Sequence, residues 1–234
     1  MSLKDEITKD VKAIFKSSWD VRDGKVIPDD KSLTFKNEAI KITVAVMYAD
    51  LADSTNIVKT NDATTAAEIY KSFLFSTCKV IRDNGGEITA FDGDRVMAVF
   101  MNDLPNTRAA KTALHINWVI KEIVQKEFDT QYPDSKYKFN CGIGIDQSEV
   151  LVAKTGVRGA NDLVWVGNAA NIAAKVSAIR NSGYKVLLTE SSYKSLKDSS
   201  RLSSHNPPQN MWTSLYDKNL DMNLYGSNWT WGIK

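Results

Sequence analysis

The amino-acid sequence predicts an α+β fold, in which helices pack against one sheet that is rich in antiparallel strands. Two observations lead to this prediction. Short segments with the alternating apolar pattern of strands are paired around tight turns, and longer segments with helical periodicity separate these pairs. The chain has 234 residues, enough for one domain with a substantial hydrophobic core.

The first forty residues are predicted to precede the main domain. Ile7, Val11 and Ile14 recur at helical spacing, which predicts an amphipathic helix over residues 5–19. Residues 20–36 carry few large apolar side chains and are typical of a connecting loop or a short hairpin. The apolar face of this helix needs a surface to pack on.

The main domain is predicted to begin with a strand, a helix and a hairpin. The segment Lys41–Leu51 is rich in strand-forming residues. Ile42, Val44, Val46 and Tyr48 alternate along it, so that they share one face of the strand, and Asp50 continues that face at the end of the strand. Residues 64–82 place their apolar side chains on one helical face. Residues 87–91 and 95–100 then flank an Asp-Gly-Asp turn, which is a strong hairpin signal.

The second half of the chain continues this alternation. It predicts a helix over 108–128, a hairpin of 137–145 with 150–154 that turns at Asp146–Ser148, a strand over 163–166, a helix over 168–180 and a strand over 186–189. The complete order has a ferredoxin-like arrangement at its centre. Residues 199–234 are rich in Ser, Asn and Pro but also contain Trp212, Trp229 and Trp231, so their structure stays open.

Composition argues against several classes of function. The chain has 30 basic and 28 acidic residues, a net charge of +2, so no strong field attracts nucleic acid. Cys78 and Cys141 lie in apolar stretches without metal-binding or redox spacing, which predicts free thiols in a reducing compartment. The N-terminus is charged and no segment is apolar enough to span a membrane, so we expect a cytoplasmic protein.

Two aspartates are candidate metal ligands. Asp50 ends a predicted strand and Asp94 lies in the turn of the next hairpin. Carboxylates on neighbouring strands can hold hard cations such as Mg²⁺ or Mn²⁺ through oxygen. Aspartates are also common at strand ends and in tight turns without any metal, so spacing alone leaves both interpretations open.

Four segments resemble class III nucleotidyl cyclases and occur in the order of that family. They are YADLADST (48–55), FDGDRVMAVF (91–100), CGIGIDQSEVLVAKTG (141–156) and VWVGNAANIAAKV (164–176). The resemblance implies a cyclase catalytic domain over residues 41–198. Residues 1–40 would then be an N-terminal helix with a connecting segment, and residues 199–234 a C-terminal extension.

The resemblance also implies roles for individual residues. Asp50 and Asp94, with the backbone carbonyl of Leu51, would bind two divalent ions per site, Mn²⁺ or Mg²⁺. Backbone amides at the start of the following helix would hold the triphosphate, and the residues concerned are Ala52, Asp53, Ser54 and Thr55.

Two residues of the last core helix would complete the catalytic set. Asn171 matches the family's ribose-orienting asparagine, and Lys175 stands where the family has a transition-state arginine. Lysine keeps the positive charge but loses the planar fork of arginine. Alternatively, Lys175 is a solvated residue on the helix face.

The positions that select the base depart from purine cyclases. Ala90 and Val164 stand where purine cyclases carry polar base-reading side chains, and neither can form such hydrogen bonds. Tyr48 and Arg95 flank the metal aspartates instead and resemble the corresponding residues of the Pycsar-type pyrimidine cyclases of bacterial phage defence, in particular the uridylate branch. Alternatively, Tyr48 is a core aromatic residue and Arg95 a surface partner of Asp92.

By this resemblance, we expect a homodimer with composite active sites that converts UTP to 3′,5′-cyclic UMP and pyrophosphate. Asn171 and Lys175 would come from one subunit and the metal aspartates from the other. The product would act on a separate effector protein. Three alternatives remain: a cytidylate or purine cyclase, a catalytically inactive module that binds nucleotide as a sensor, and a structural scaffold in which the carboxylates are incidental.

Overall fold

A nine-stranded sheet runs through the computed structural model, which describes residues 1–233. The strands are β1 (Asp20–Asp23), β2 (Glu38–Leu51), β3 (Glu87–Asp92), β4 (Arg95–Phe100), β5 (Cys141–Val157), β6 (Ala160–Val166), β7 (Val186–Thr189), β8 (Thr213–Asp217) and β9 (Met222–Ser227). The helices are α1 (Leu3–Lys16), α2 (Ser54–Thr60), α3 (Ala63–Asp83), α4 (Pro105–Val119), α5 (Gln125–Gln131), α6 (Asn168–Ser177), α7 (Glu190–Lys194) and α8 (Asp198–Arg201). A π-helical turn, Ile120–Val124, joins α4 to α5.

The sheet has the order β3-β4-β2-β5-β7-β9-β8, with β1 beside β2 and β6 beside β5. Only the β1–β2 and β5–β7 pairs are parallel within residues 1–233. The predicted α+β class with a mostly antiparallel sheet is therefore confirmed. No helix in this part of the chain combines the length and apolar character needed to cross a membrane.

Helices cover both faces of the sheet, and β2 contributes to both layers. Its odd-numbered residues, such as Met47, pack with α3 and α4 in the larger core. Its even-numbered residues, such as Val44 and Val46, pack with α6 and Trp165 in the second core. Since side chains alternate along a strand, Tyr48 and Asp50 belong to the α6 face.

The predicted hairpin that turns at Asp146–Ser148 is wrong. β5 is one continuous strand, and its hairpin partner is β6, which begins at Ala160. The polar residues that resemble a turn are each satisfied within the fold: Asp146 accepts a hydrogen bond from Thr189, Gln147 from Asn106, and Ser148 from the amide of Ala169 at the start of α6. These tertiary contacts therefore stabilise a strand conformation in a segment whose sequence is typical of a loop.

The C-terminal segment is part of the sheet, whereas the N-terminal helix is exposed. Residues 199–233 contribute β8 and β9, which extend the sheet beyond β7, and Trp212 is buried there with its indole donating to the carbonyl of Ser200 at 2.9 Å. The predicted N-terminal helix is present as α1, but none of its residues is buried. Asn37 ties its C-terminal end to the sheet by donating to the carbonyls of Ile14 and Ser17.

Gly144 lets α6 lie directly on β5, and its replacement is expected to destabilise the protein. A Cβ at this position would lie 2.2 Å from the carbonyl oxygen of Ala173 and 2.4 Å from the amide nitrogen of Ser177. We expect Gly144→Ala to lower the free energy of unfolding by about 1–3 kcal/mol, because the helix backbone must move. Urea denaturation measures this change.

Gly232→Ala is the matched control for this prediction. Its added Cβ would meet Trp118 at an ordinary contact distance of 3.6 Å. Its free energy of unfolding should stay within about 0.5 kcal/mol of that of the unaltered protein. Equal stability of the two variants would contradict the close approach of α6 to β5.

Candidate active site

The structure brings Asp50 and Asp94 to the same end of the sheet. Asp50 is paired with Arg95 on β4 and with Gly142 on β5. Asp94 follows Gly93 in the two-residue turn between β3 and β4, where Gly93 has a φ of 61°. The Asp94 carbonyl accepts a hydrogen bond from the amide of Leu51 at 3.4 Å, so the turn is joined to the end of β2.

Burial and three charged groups act on the Asp50 carboxyl group. Burial raises the pKa of the Asp50 carboxyl group; the guanidinium groups of Arg180 and Arg95 oppose this rise, and the negative charge of Asp94 adds to it. The Oδ2 atom of Asp94 is buried and has no hydrogen-bond partner among residues 1–233. A buried carboxylate oxygen without a partner, beside a second carboxylate, fits a cation ligand.

Asp50 and Asp94 alone would supply only part of the ligands that a metal ion needs. Within residues 1–233, no group of three or more His, Cys, Asp or Glu side chains is arranged to hold a metal ion. Mg²⁺ and related hard cations commonly use one or two carboxylates and complete their shell with substrate phosphates and water. Asp50 and Asp94 fit that kind of site, and the carbonyl of Leu51 lies next to Asp50 in the chain.

Tyr48 and Arg95 lie side by side next to Asp50. The Arg95 guanidinium carbon is 5.9 Å from the centre of the Tyr48 ring, and its Nε atom is 3.6 Å from Oδ1 of Asp50. Burial raises the pKa of the Tyr48 hydroxyl, which therefore stays protonated at neutral pH. Ala90 packs in the same cluster as Tyr48, so the base-reading position predicted to lack a polar side chain lies on this face.

The start of α2 offers free backbone amides at the same end of β2. Asp53 has a left-handed backbone with a φ of 63°, and no side chain caps the helix. Within residues 1–233, the amides of Asp53, Ser54 and Thr55 meet no acceptor, whereas the amide of Ala52 donates to the carbonyl of Asn140 at 2.7 Å. The Ala52 amide is thus already engaged.

Asn171 and Lys175 are not brought to the aspartates within one chain. Both are exposed on α6, whose buried residues Ala173 and Val176 face the sheet. No hydrogen bond or ion pair joins either of them to Asp50 or Asp94 in the described part of the chain. Val164 is also remote, because it pairs with Ala153, nine residues along β5 from Gly144.

Arg180 contacts Asp50 and was not predicted from the sequence. Its Nη2 atom lies 2.6 Å from Oδ2 of Asp50, and its Nη1 atom donates to the carbonyl of Ser177 at the end of α6. The only signal in the sequence is a basic residue three positions beyond that helix. This signal indicates a contact with Asp50 only when the position of the end of α6 near Asp50 is known.

Known proteins similar to this chain are nucleotide cyclases. Residues 37–211 match the adenylate and guanylate cyclase catalytic domain. The chain is 43% identical over 235 aligned residues to a protein from Xanthomonas perforans named uridylate cyclase, and 36% identical to one of the same name from Burkholderia cepacia. Both alignments cover 100% of this chain and 100% of the relative.

Solved structures with the same fold include an adenylyl cyclase and a guanylate cyclase domain. The adenylyl cyclase CyaB from P. aeruginosa matches with a TM-score of 0.68 and 16% identity over 81% of this chain and 95% of its own. The guanylate cyclase domain of RhGC from Catenaria anguillulae, in complex with GTP, matches with a TM-score of 0.63 and 17% identity over 79% and 95%. The predicted class III resemblance is confirmed: the chain belongs to the adenylate and guanylate cyclase catalytic domain family.

Proposed function

We propose that this nucleotide cyclase converts UTP to 3′,5′-cyclic UMP and pyrophosphate. The observation that carries the proposal is the contact between Tyr48 and Arg95 beside Asp50, on the same face as the apolar Ala90. The full-length similarity to two proteins named uridylate cyclase supports the same substrate.

The proposed metal ligands are Asp50, Asp94 and the carbonyl of Leu51, which would hold two ions of Mn²⁺ or Mg²⁺. Bound divalent cations favour ionisation of the ribose 3′-hydroxyl and stabilise the charge of the triphosphate. The amides of Asp53, Ser54 and Thr55 are free to donate to phosphate oxygens. The amide of Ala52 donates to the carbonyl of Asn140 and is therefore not free to bind phosphate.

The base would be read by Tyr48 and Arg95. A guanidinium group only donates hydrogen bonds, and it suits a base edge that presents carbonyl oxygens. Uracil has two carbonyl groups, whereas cytosine presents an amino donor in place of one of them. Arg95 therefore favours uracil, and the Tyr48 hydroxyl can donate to or accept from the same edge.

Each active site is proposed to need two subunits of a homodimer. Asn171 and Lys175 are exposed on α6 and face away from the sheet of their own subunit. The partner would use them to orient the ribose and to place positive charge beside the reacting phosphate. The resemblance to phage-defence cyclases extends the proposal to a cytoplasmic enzyme whose product activates a separate effector protein.

Substrate choice is tested by incubating the protein with each of the four nucleoside triphosphates and Mn²⁺. We expect UTP to be cyclised at least about tenfold faster than CTP, ATP or GTP, because mismatched polar groups at a base edge are costly. Mass spectrometry of the products identifies the cyclic nucleotide. Faster cyclisation of ATP or GTP would refute the assignment of a pyrimidine substrate.

Lys175 also favours a second candidate, a nucleotide-binding module without catalysis. Its single ammonium group replaces the arginine fork that stabilises phosphoryl oxygens in the family. Such a module predicts that UTP and Mn²⁺ raise the melting temperature while no pyrophosphate is released. A scaffold with incidental carboxylates predicts neither effect.

A further inference from the structure

Arg180 covers one oxygen of Asp50. Its Nη2 atom is 2.6 Å from Oδ2, while Nε of Arg95 is 3.6 Å from Oδ1. Both carboxylate oxygens of Asp50 therefore have a guanidinium group beside them. Asp94 differs, since its buried Oδ2 atom has no hydrogen-bond partner among residues 1–233.

The position of Arg180 is built into the backbone around it. The Ser177 carbonyl at the end of α6 accepts a hydrogen bond from Nη1. On β5, Gly142 lies directly opposite Asp50, and a Cβ there would come within 2.4 Å of Nη1. The guanidinium thus crosses a strand position that has no side chain, and the helix end and the glycine together direct it onto Asp50.

A divalent cation that binds this oxygen has to compete with the positive charge of Arg180. Mg²⁺ binds carboxylate oxygen at about 2.0–2.1 Å, and a guanidinium group at hydrogen-bond distance from the same oxygen would lie within a few ångströms of the ion. Asp50 is largely shielded from solvent, with 12% of its side chain exposed, so the repulsion between the two cations is weakly screened. Withdrawal of the guanidinium would relieve this repulsion when the ion binds.

Arg180 has a route by which to withdraw. Residues 178–185 form neither helix nor strand, and 35% of the Arg180 side chain is exposed. We propose that Arg180 occupies the cation position at Asp50 in the metal-free enzyme and is displaced by the metal, so that this arginine lowers the affinity of the site for divalent cations. The inference rests on the proposed function, because it takes Asp50 as a metal ligand.

The test measures Mn²⁺ binding to the full-length protein by electron paramagnetic resonance of the free ion, without nucleotide. A charge-assisted hydrogen bond contributes about 1.5–3 kcal/mol, so we expect Arg180→Gln to lower the Kd for Mn²⁺ about tenfold or more. Arg180→Lys keeps the charge without the fork, and its Kd should lie between those of the unaltered protein and Arg180→Gln.

Two further variants separate this inference from the metal site itself. Arg201→Gln removes the same charge from another arginine–aspartate pair, with Asp198, and should leave the Kd unchanged. Asp50→Asn should abolish high-affinity binding. If Asp50→Asn does so but Arg180→Gln binds Mn²⁺ no more tightly than the unaltered protein, the role of Arg180 is refuted and the metal site stands.

The remaining outcomes are also decisive. If Asp50→Asn binds Mn²⁺ as the unaltered protein does, both the proposed metal site and the role of Arg180 are refuted. If Arg180→Gln does not fold, Arg180→Lys decides, since a Kd lower than that of the unaltered protein supports the inference and an equal or higher one refutes it.

Discussion

Asp50→Asn is expected to lower the rate of pyrophosphate release from UTP by about a thousandfold while the protein stays folded. Loss of one preorganised electrostatic group at a reacting centre commonly costs 10²–10³ in rate, and Asp50 would also lose its charge as a metal ligand. The amide oxygen of asparagine can still accept the hydrogen bond from Arg180, so the local packing is retained. Pyrophosphate release with UTP and Mn²⁺ measures the rate, and thermal unfolding measures the fold.

Asp92→Asn is the control within the same hairpin. Asp92 precedes the turn that carries Asp94, but 83% of its side chain is exposed and its only ion pair within residues 1–233 is a 3.9 Å contact with Arg95. Exposed pairs of this kind contribute about 0–1 kcal/mol, so its rate should stay within about fivefold of the unaltered rate. An Asp50→Asn variant that releases pyrophosphate at the unaltered rate would rule out the proposed metal mechanism.

The sequence predicts those parts of the fold that depend on local patterns. The hairpin around Gly93 was predictable because a two-residue turn with a positive φ needs glycine there. The middle of β5 was not predictable in the same way, because Asp146–Ser148 is polar and follows a segment that contains Gly142 and Gly144. Its strand conformation depends on partners distant in sequence, such as Thr189 and Asn106.

The residues of the candidate site also fall into two groups: those that local sequence patterns predict and those that depend on contacts distant in sequence. Asp50, Asp94, Tyr48 and Arg95 lie in contiguous segments whose pairing follows from strand register, and the structure places them together as the motifs predict. The contact between Arg180 and Asp50 could not be predicted in this way, because it depends on how the end of α6 packs against Gly142 of β5. Asn171 and Lys175 lie on the exposed face of α6, and the aspartates that we propose as their partners belong to a second subunit.

Mixed dimers provide the second decisive test, because they ask whether each site draws on two subunits. One subunit would carry Asp50→Asn, and the other would carry Asn171→Ala together with Lys175→Ala. We expect either variant alone to be nearly inactive. If the sites are composite, a mixed dimer purified through two different affinity tags has one intact site and should show about half of the unaltered rate.

A second mixed dimer shows why recovery would be specific to the arrangement across subunits. Asp94 lies beside Asp50 in the same chain, so a dimer that joins Asp50→Asn to Asp94→Asn has a damaged metal half in both sites and should stay inactive. Recovery in both mixed dimers would mean that Asp50 and Asp94 of one site come from different subunits. Recovery in neither would mean that Asn171 and Lys175 serve the aspartates of their own chain, which would require α6 to turn its exposed face toward the sheet. Recovery in the first dimer alone fits only a site in which α6 of one subunit faces the metal aspartates of the other.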